Sequence, residues 1–275
     1  MARGEREASS LEANKAALLT WLVPGAAHLW LGHPLLALAA FAMVEGLYWA
    51  GLQLSQGMGF EFLDHELRTL FAPALAPEAG NLGAFLYQTR SFGYGPGYLR
   101  PWPDGIALGV TLTALSGVLN ACWMAHAHVL ARARPELGGA RHRPALALAL
   151  AFLVPGLGHL YQRRRLRAAC VFAALVGLFL AGTWIAEGSN LARERHFYYW
   201  SGQFLIGLPA AVAEWIGGDM RIDHPIPLVD AGLVFACVAG LLNVLAMIDV
   251  FDFEEARLFG WPTRTLAKAP QPKEA

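Results

Sequence analysis

The chain has 275 residues, of which 56% are hydrophobic and 15% charged, and its 21 basic and 21 acidic side chains cancel. An average soluble domain carries about 25% charged residues, so this composition, with a mean hydropathy of +0.39, is displaced toward lipid. A neutral balance gives no warrant for nucleic acid as a partner, and so much apolar side chain excludes disorder away from the ends.

In chain order, residues 1–15 form a mixed-charge leader with Arg3, Glu5, Arg6, Glu7, Glu12 and Lys15, expected as a cytoplasmic tail. The first apolar stretch, 16–31, is interrupted by Pro24-Gly25 and falls short of the ~20 residues that cross a bilayer. It is not read as a signal peptide, because the leader is not purely basic and the same segment recurs in mid-chain. Residues 35–54 are long enough to span. In the loop 55–103, Leu63, Leu67, Leu70 and Phe71 recur at helical spacing opposite Asp64, Glu66 and Arg68, which predicts an interfacial helix over 60–71. A second span covers 105–130. The linker 132–143 carries Arg132, Arg134, Arg141 and Arg143. A second short stretch, 145–161, is broken at Pro155-Gly156, and a third span covers 168–186. The loop 187–227 holds an apolar segment, 203–217, expected to break at Pro209. The last span is 228–251, and 254–275 form a second cytoplasmic tail. Trp49, Tyr98, Trp102, Trp184, Trp200 and Trp215 gather near the loop-side ends of spans, as an aromatic belt would. Cys122, Cys170 and Cys237 lie in apolar runs and read as small buried hydrophobes.

The chain repeats itself. Residues 22–51 align without gaps onto 153–182 at an offset of 131, with fourteen of thirty pairs identical, including Leu22-Val23-Pro24-Gly25 with Leu153-Val154-Pro155-Gly156 and His28-Leu29 with His159-Leu160. Gly109, Gly117, Leu119, Asn120 and Met124 fall on Gly232, Gly240, Leu242, Asn243 and Met247 at an offset of 123. A weaker match links Phe85, Tyr87, Phe92 and Gly95 to Phe197, Tyr199, Phe204 and Gly207. The expected architecture is an all-α integral membrane protein made by tandem duplication, with repeat one at 16–131 and repeat two at 144–253. Arginines flank 145–161 on both sides, so the positive-inside rule favours a re-entrant dip over a crossing. That gives four transmembrane helices plus two short re-entrant helices, with six transmembrane helices as the alternative.

Soluble-enzyme motifs are absent: there is no Walker loop, G-x-G-x-x-G, H-E-x-x-H or G-x-S-x-G. The candidate functional groups are therefore polar residues in apolar surroundings. His28 and His159 hold equivalent places after the structural Pro24-Gly25 and Pro155-Gly156, and read either as a proton or cation relay or as imidazoles that satisfy carbonyls freed by the proline. Glu45 lies midway along its span where repeat two has Val176, and is expected to face the bundle interior. Asn120 and Asn243 are duplicated amides suited to interhelical hydrogen bonds. The rings of His126 and His128 diverge by about 200° on a helix, a poor chelating geometry that favours headgroup solvation. Arg163, Arg164, Arg165 and Arg167 are assigned to topology and headgroup contact. Small residues at Gly46/Ala50, Gly177/Ala181, Gly105/Gly109 and Gly232/Ala236 predict close helix packing. No catalytic, cofactor-binding or metal-ligating residue is assigned, and no cofactor is expected.

The string 153–161, Leu-Val-Pro-Gly-Leu-Gly-His-Leu-Tyr, resembles the Pro-Gly-x-Gly-His-Leu-Tyr hairpin of many bacterial membrane proteins and is distantly similar to the two-transmembrane-helix domain family. Ala26-Ala27, Trp30 and Gln162-Arg163 depart from that pattern. The resemblance implies a bacterial inner-membrane protein and transfers no activity, while the positive-inside rule is what predicts that both termini are cytoplasmic. The expected role is a non-enzymatic scaffold, assembly or accessory subunit whose partners are the bilayer and other membrane subunits or further copies of the chain. The alternatives are a small transporter or proton/cation pathway using Glu45 and the His28/His159 pair, and, less favoured, a membrane enzyme acting on lipid-linked substrates.

Overall fold

A computed structural model describes residues 3–61, 63, 68, 73–95, 98, 100–132, 143–217 and 224–261. These form eleven α-helices and no strand: α1 (Arg3–Leu22), α2 (Ala26–Trp30), α3 (Pro34–Ser55), α4 (Leu82–Ser91), α5 (Ile106–Arg132), α6 (Pro144–Leu153), α7 (Leu157–Tyr161), α8 (Arg165–Ile185), α9 (Phe197–Phe204), α10 (Leu208–Gly217) and α11 (Val229–Phe259). Four of them, α3, α5, α8 and α11, are long and apolar enough to cross a membrane. Helices are what a hydrocarbon solvent demands, because each satisfies its own backbone where no water can. The leader expected as a tail is helical from Arg3, and α11 continues to Phe259, past the expected end of repeat two.

Each short apolar stretch is a broken helix, α1/α2 in repeat one and α6/α7 in repeat two. Gly25 and Gly156 sit at φ +82° and +86°. A Cβ at either would also collide with a carbonyl oxygen of the following span, Ala37 or Ala168. Glycine is required on both counts.

The breaks turn the chain back. Ala16 of α1 and Ala27 of α2 share one buried cluster with Ala127 of α5, while Thr20, nearer the break, reaches Asn120 midway along α5. Thus α1 climbs α5 from its C-terminal end to its middle, and α2 descends again. In repeat two, a Cβ at Gly158 would meet Ala147 and Val250, and Ala151 reaches Asn243 midway along α11. These are the same contacts shifted by 131 and 123 residues. The architecture is a tandem duplication of two spans preceded by a hairpin that goes no deeper than the middle of its neighbour.

The spans of each repeat cross at glycines. A Cβ on Gly51 would come within 2.5 Å of the Gly109 carbonyl oxygen, and one on Gly182 within 2.7 Å of that of Gly232. Backbones approach this closely where small residues remove the steric barrier. The expected Gly46 and Gly177 are not part of these contacts, since a Cβ on either meets nothing within 4 Å. Both lie five residues before the true crossing, on another face of the helix.

The long loops depart most from expectation. Of the predicted interfacial helix 60–71, Phe60 and Leu63 are buried with Ala76, Phe85 and Phe197, whereas 62, 64–67 and 69–71 lie outside the described residues. The segment 203–217 breaks at 205–207, between α9 and α10. Gly207 takes φ +79° there, and Pro209 falls in the first turn of α10, where its missing N–H costs nothing. Trp200 is 1% exposed and belongs to the core, while Trp184 and Trp215 are 82% and 87% exposed, as belt residues should be. Cys122 is buried but Cys170 is exposed on α8.

Candidate functional site

The tip of each hairpin is met by a segment dipping in from the opposite loop, and one amide ties both to the span. Asn120 Nδ2 donates to the Thr20 carbonyl at 2.9 Å and to the Gly80 carbonyl at 3.0 Å. Asn243 Nδ2 donates to the Ala151 carbonyl at 3.2 Å and the Leu205 carbonyl at 2.9 Å. Thr20 and Ala151 differ by 131 positions; Gly80 and Leu205 differ by 125. The same 125 relates Pro77 against Gly117 to Gly202 against Gly240, contacts too close for any Cβ. The loops are therefore duplicated in space, and the weaker match of Phe85 to Phe197 is corrected: helix α4 corresponds to α10. Backbone freed by the breaks is thereby hydrogen-bonded in a place where water is scarce.

His28 and His159 are both buried, and each is bonded within its own repeat; they do not meet. His28 Nε2 lies 2.9 Å from His126 Nδ1, the rings stacked at 5.2 Å. His159 Nε2 lies 3.1 Å from Asp249 Oδ2. His126 and Asp249 are 123 residues apart, so this is one polar contact with its partner exchanged. Arg164 and Arg167 reach the same carboxylate at 2.9 and 3.1 Å, and Arg164 also covers the Phe253 ring at 4.5 Å. These two arginines close the second hairpin, while Arg163 and Arg165 are exposed and free to meet headgroups. His126 and His128 do point to different partners, but both are internal: His128 faces Glu255 at 3.8 Å, alongside the Arg132–Glu255 bridge at 2.9 Å. Among the described residues no group of three metal-ligating side chains converges.

Glu45 is half-buried on the flank of α3. It accepts a hydrogen bond from Asn81 Nδ2 at 3.2 Å and lines a groove of about 300 Å³ floored by the hairpin tip (Leu22, Val23) and roofed by α4 (Ala84, Tyr87). It faces this sideways-opening groove and not the middle of the bundle, as the exposure of neighbouring Phe41 (48%) and Trp49 (65%) requires.

The polar centre of the molecule lies behind Glu45, where the two repeats join. Arg193 of the second long loop donates to Glu78 Oε1 of the first at 2.8 Å, with side chains 3% and 1% exposed. Thr113 donates to the same oxygen at 3.0 Å. The guanidinium also faces the rings of Trp200, Phe197 and Phe60 at 4.6, 5.3 and 5.9 Å, an aromatic enclosure that favours a cation. Tyr48, beside Glu45 on α3, donates to Gln88 at 2.5 Å. In repeat two, Gln203 occupies the place of Glu78 and pairs with Asn190 at 2.7 Å. Beyond the spans, Glu214 on α10 accepts from Trp200 Nε1 at 3.3 Å, and burial pushes its carboxyl up to about 7.

Glu78 and Arg193 escape sequence reasoning because they sit in loops of irregular backbone, where charge reads as solvated surface. The one available signal is repetition: Glu78 and Gln203 are polar at matching places just after Pro77 and Gly202, whose carbonyls press on Gly117 of α5 and Gly240 of α11. Against known families, the chain belongs to the family of unknown function DUF6677, whose model matches it twice, over residues 15–136 and 146–258. No curated relative and no solved structure matches it.

Proposed function

We propose that this two-copy membrane protein of the DUF6677 family is a non-enzymatic scaffold or accessory subunit of a larger membrane assembly. One observation carries the reading: the buried polar side chains are engaged in closing the fold. Asn120 and Asn243 tie hairpin to loop, His28–His126 and His159–Asp249 tie hairpin to span, and Glu78–Arg193 ties one repeat to the other. What faces outward is apolar, with Leu35, Leu166, Trp184, Trp215 and Ile216 between 76% and 87% exposed. Arg163 and Arg165 at the hairpin side support a cytoplasmic location for that side and for both termini, by the positive-inside rule. Native mass spectrometry of membranes solubilised in mild detergent tests the reading. A stoichiometric heteromeric or homomeric complex, unchanged by Glu45→Gln, is expected; a chain that remains monomeric, with no crosslinked neighbour in intact membranes, overturns it.

A second reading, a proton or cation pathway, rests on Glu45, whose carboxyl opens onto a lateral groove at the tip of a broken helix, where repeat-built transporters place their sites. It predicts Glu45 labelling by dicyclohexylcarbodiimide and proton flux in proteoliposomes that is lost in Glu45→Gln. Absence of both sets it aside.

A further inference from the structure

The groove beside Glu45 has a counterpart in repeat two, and the two differ in a way that points to a ligand. Val154, Phe172, Val176 and Leu180 stand 131 residues after Val23, Phe41, Glu45 and Trp49, and Pro209 and Val212 stand 125 after Ala84 and Tyr87. Exchange of Glu45, Trp49 and Tyr87 for Val176, Leu180 and Val212 removes the acid and two large rings, and the cavity grows from about 300 to about 1250 Å³. That exceeds the ~300–1,000 Å³ usual for small-solute sites.

We propose that this second groove holds an acyl chain of a phospholipid from the leaflet on the side of the long loops. Its depth sets the occupant. From Ile185 at the loop-side end of α8 to Val176 is nine residues, about 14 Å of helix, with Phe172 and the hairpin tip residue Val154 closing the far end. Half of a ~30 Å hydrocarbon layer is about 15 Å, so the groove is one leaflet deep. A transmembrane helix of a partner would run the full thickness and collide with that floor. The walls are apolar along this depth except for Thr183, whose hydroxyl accepts from Asn190 at 3.0 Å, and charge begins at the mouth, where Glu187 pairs with His224 at 2.9 Å near the exposed ring of Trp184. Carboxylate, imidazole and indole at that level match a zwitterionic headgroup in the interface.

The test uses the full chain in nanodiscs of phosphatidylcholine carrying a mid-chain diazirine, with photo-adducts mapped by mass spectrometry. Adducts on Val176, Leu180 and Val212 should exceed those on Leu38 and Met43, exposed on α3, by several-fold. They should saturate with label and be competed by unlabelled phospholipid while the α3 adducts rise linearly. Leu180→Trp with Val212→Tyr, which installs the side chains of the first groove, should abolish the excess; the saturation measurement on the unaltered chain stands if that variant does not fold. Uniform, non-saturating labelling of α3 and α8, or crosslinking of the groove to a protein segment or to a second copy, overturns the proposal.

Discussion

Replacing Arg193 by methionine should be the most damaging single change away from the spans. The guanidinium and the Glu78 carboxylate are 2.8 Å apart and almost wholly buried. At an effective dielectric near 20 their gross attraction is about 6 kcal/mol, set against several kcal/mol per ion for removal from water. The net value of the pair is therefore small, but removing one member is costly. Arg193→Met leaves a buried carboxylate with Thr113 as its remaining hydrogen-bond donor. Such uncompensated charges cost about 3–5 kcal/mol, and loss of the guanidinium from between three rings adds up to ~2 kcal/mol. Glu78→Met should cost about as much as the uncompensated carboxylate. The double variant should recover most of the loss, because two thioether chains fill the same space with no charge to solvate. Titration with sodium dodecyl sulfate in mixed micelles, followed by tryptophan fluorescence and far-ultraviolet circular dichroism, measures all four corners of the cycle. A single Arg193→Met costing under ~1 kcal/mol, or a double variant costing the sum of the singles, refutes the reasoning.

Asn120→Leu and Asn243→Leu each remove two hydrogen bonds at a hairpin tip and orphan carbonyls there, so each should cost about 1–3 kcal/mol in the same titration, with similar size in the two repeats. Equality within error of either variant to the unaltered chain would count against the tip contacts. Glu214 has a folded pKa raised to about 7 from 4.5, so between those values the folded chain holds a proton that the unfolded chain has released. Its contribution favours folding at acidic pH and turns unfavourable as pH rises toward 7 and above, by on the order of 1–3 kcal/mol. Glu214→Gln, kept neutral and still able to accept from Trp200, should flatten that fall; an unchanged pH profile argues against it. Single cysteines at Gly139 and at Leu75, which is 69% exposed, in a background lacking Cys122, Cys170 and Cys237, should label from opposite faces of sealed vesicles. Labelling of both from one face contradicts the four-span topology.

Repetition made most of the framework legible. Pro24-Gly25 and Pro155-Gly156 fixed the breaks because no side chain tolerates a left-handed backbone pressed against Ala37 or Ala168, and two copies of so specific a string cannot arise from apolar composition. Asn120 and Asn243 could be assigned a hydrogen-bonding role because an amide in hydrocarbon has few alternatives. Of the expected small residues, Gly109, Gly232 and Ala236 do stand at the crossings, but those on α3 and α8 are misplaced, because small residues are common along these helices and only the partner decides which face is used. Gly51 and Gly182 carry the contact, whereas Gly46 and Gly177 face away. The His28 and His159 pairing failed for a related reason. Equivalent positions in a duplication find equivalent neighbours, so each imidazole meets a residue of its own copy, His126 or Asp249, which are themselves 123 places apart, and not the other imidazole. The loops were least legible, since the Glu78–Arg193 bridge joins residues 115 apart whose charge alone predicts water.

Duplication also explains where to look for function. Two copies that start alike must both solve the same packing problem, so features kept in both, such as the hairpin breaks, the tip amides and the glycine crossings, answer to the fold. Features that differ between copies are of two kinds: some keep a packing role with new partners, as His126/Asp249 and Glu78/Gln203 do, and others are released from that duty. By this measure the Asn120/Asn243 pair is architecture, whereas the Glu45/Val176 difference is not, because Val176 shows that the fold needs no acid at that position. A carboxyl at the centre of a span costs at least ~2.5 kcal/mol, and repeat one bears that cost next to Asn81 while repeat two opens the same place into a large apolar groove. The two lateral grooves, one acidic and narrow, the other apolar and wide, are accordingly the places to test for tasks that the copies do not share.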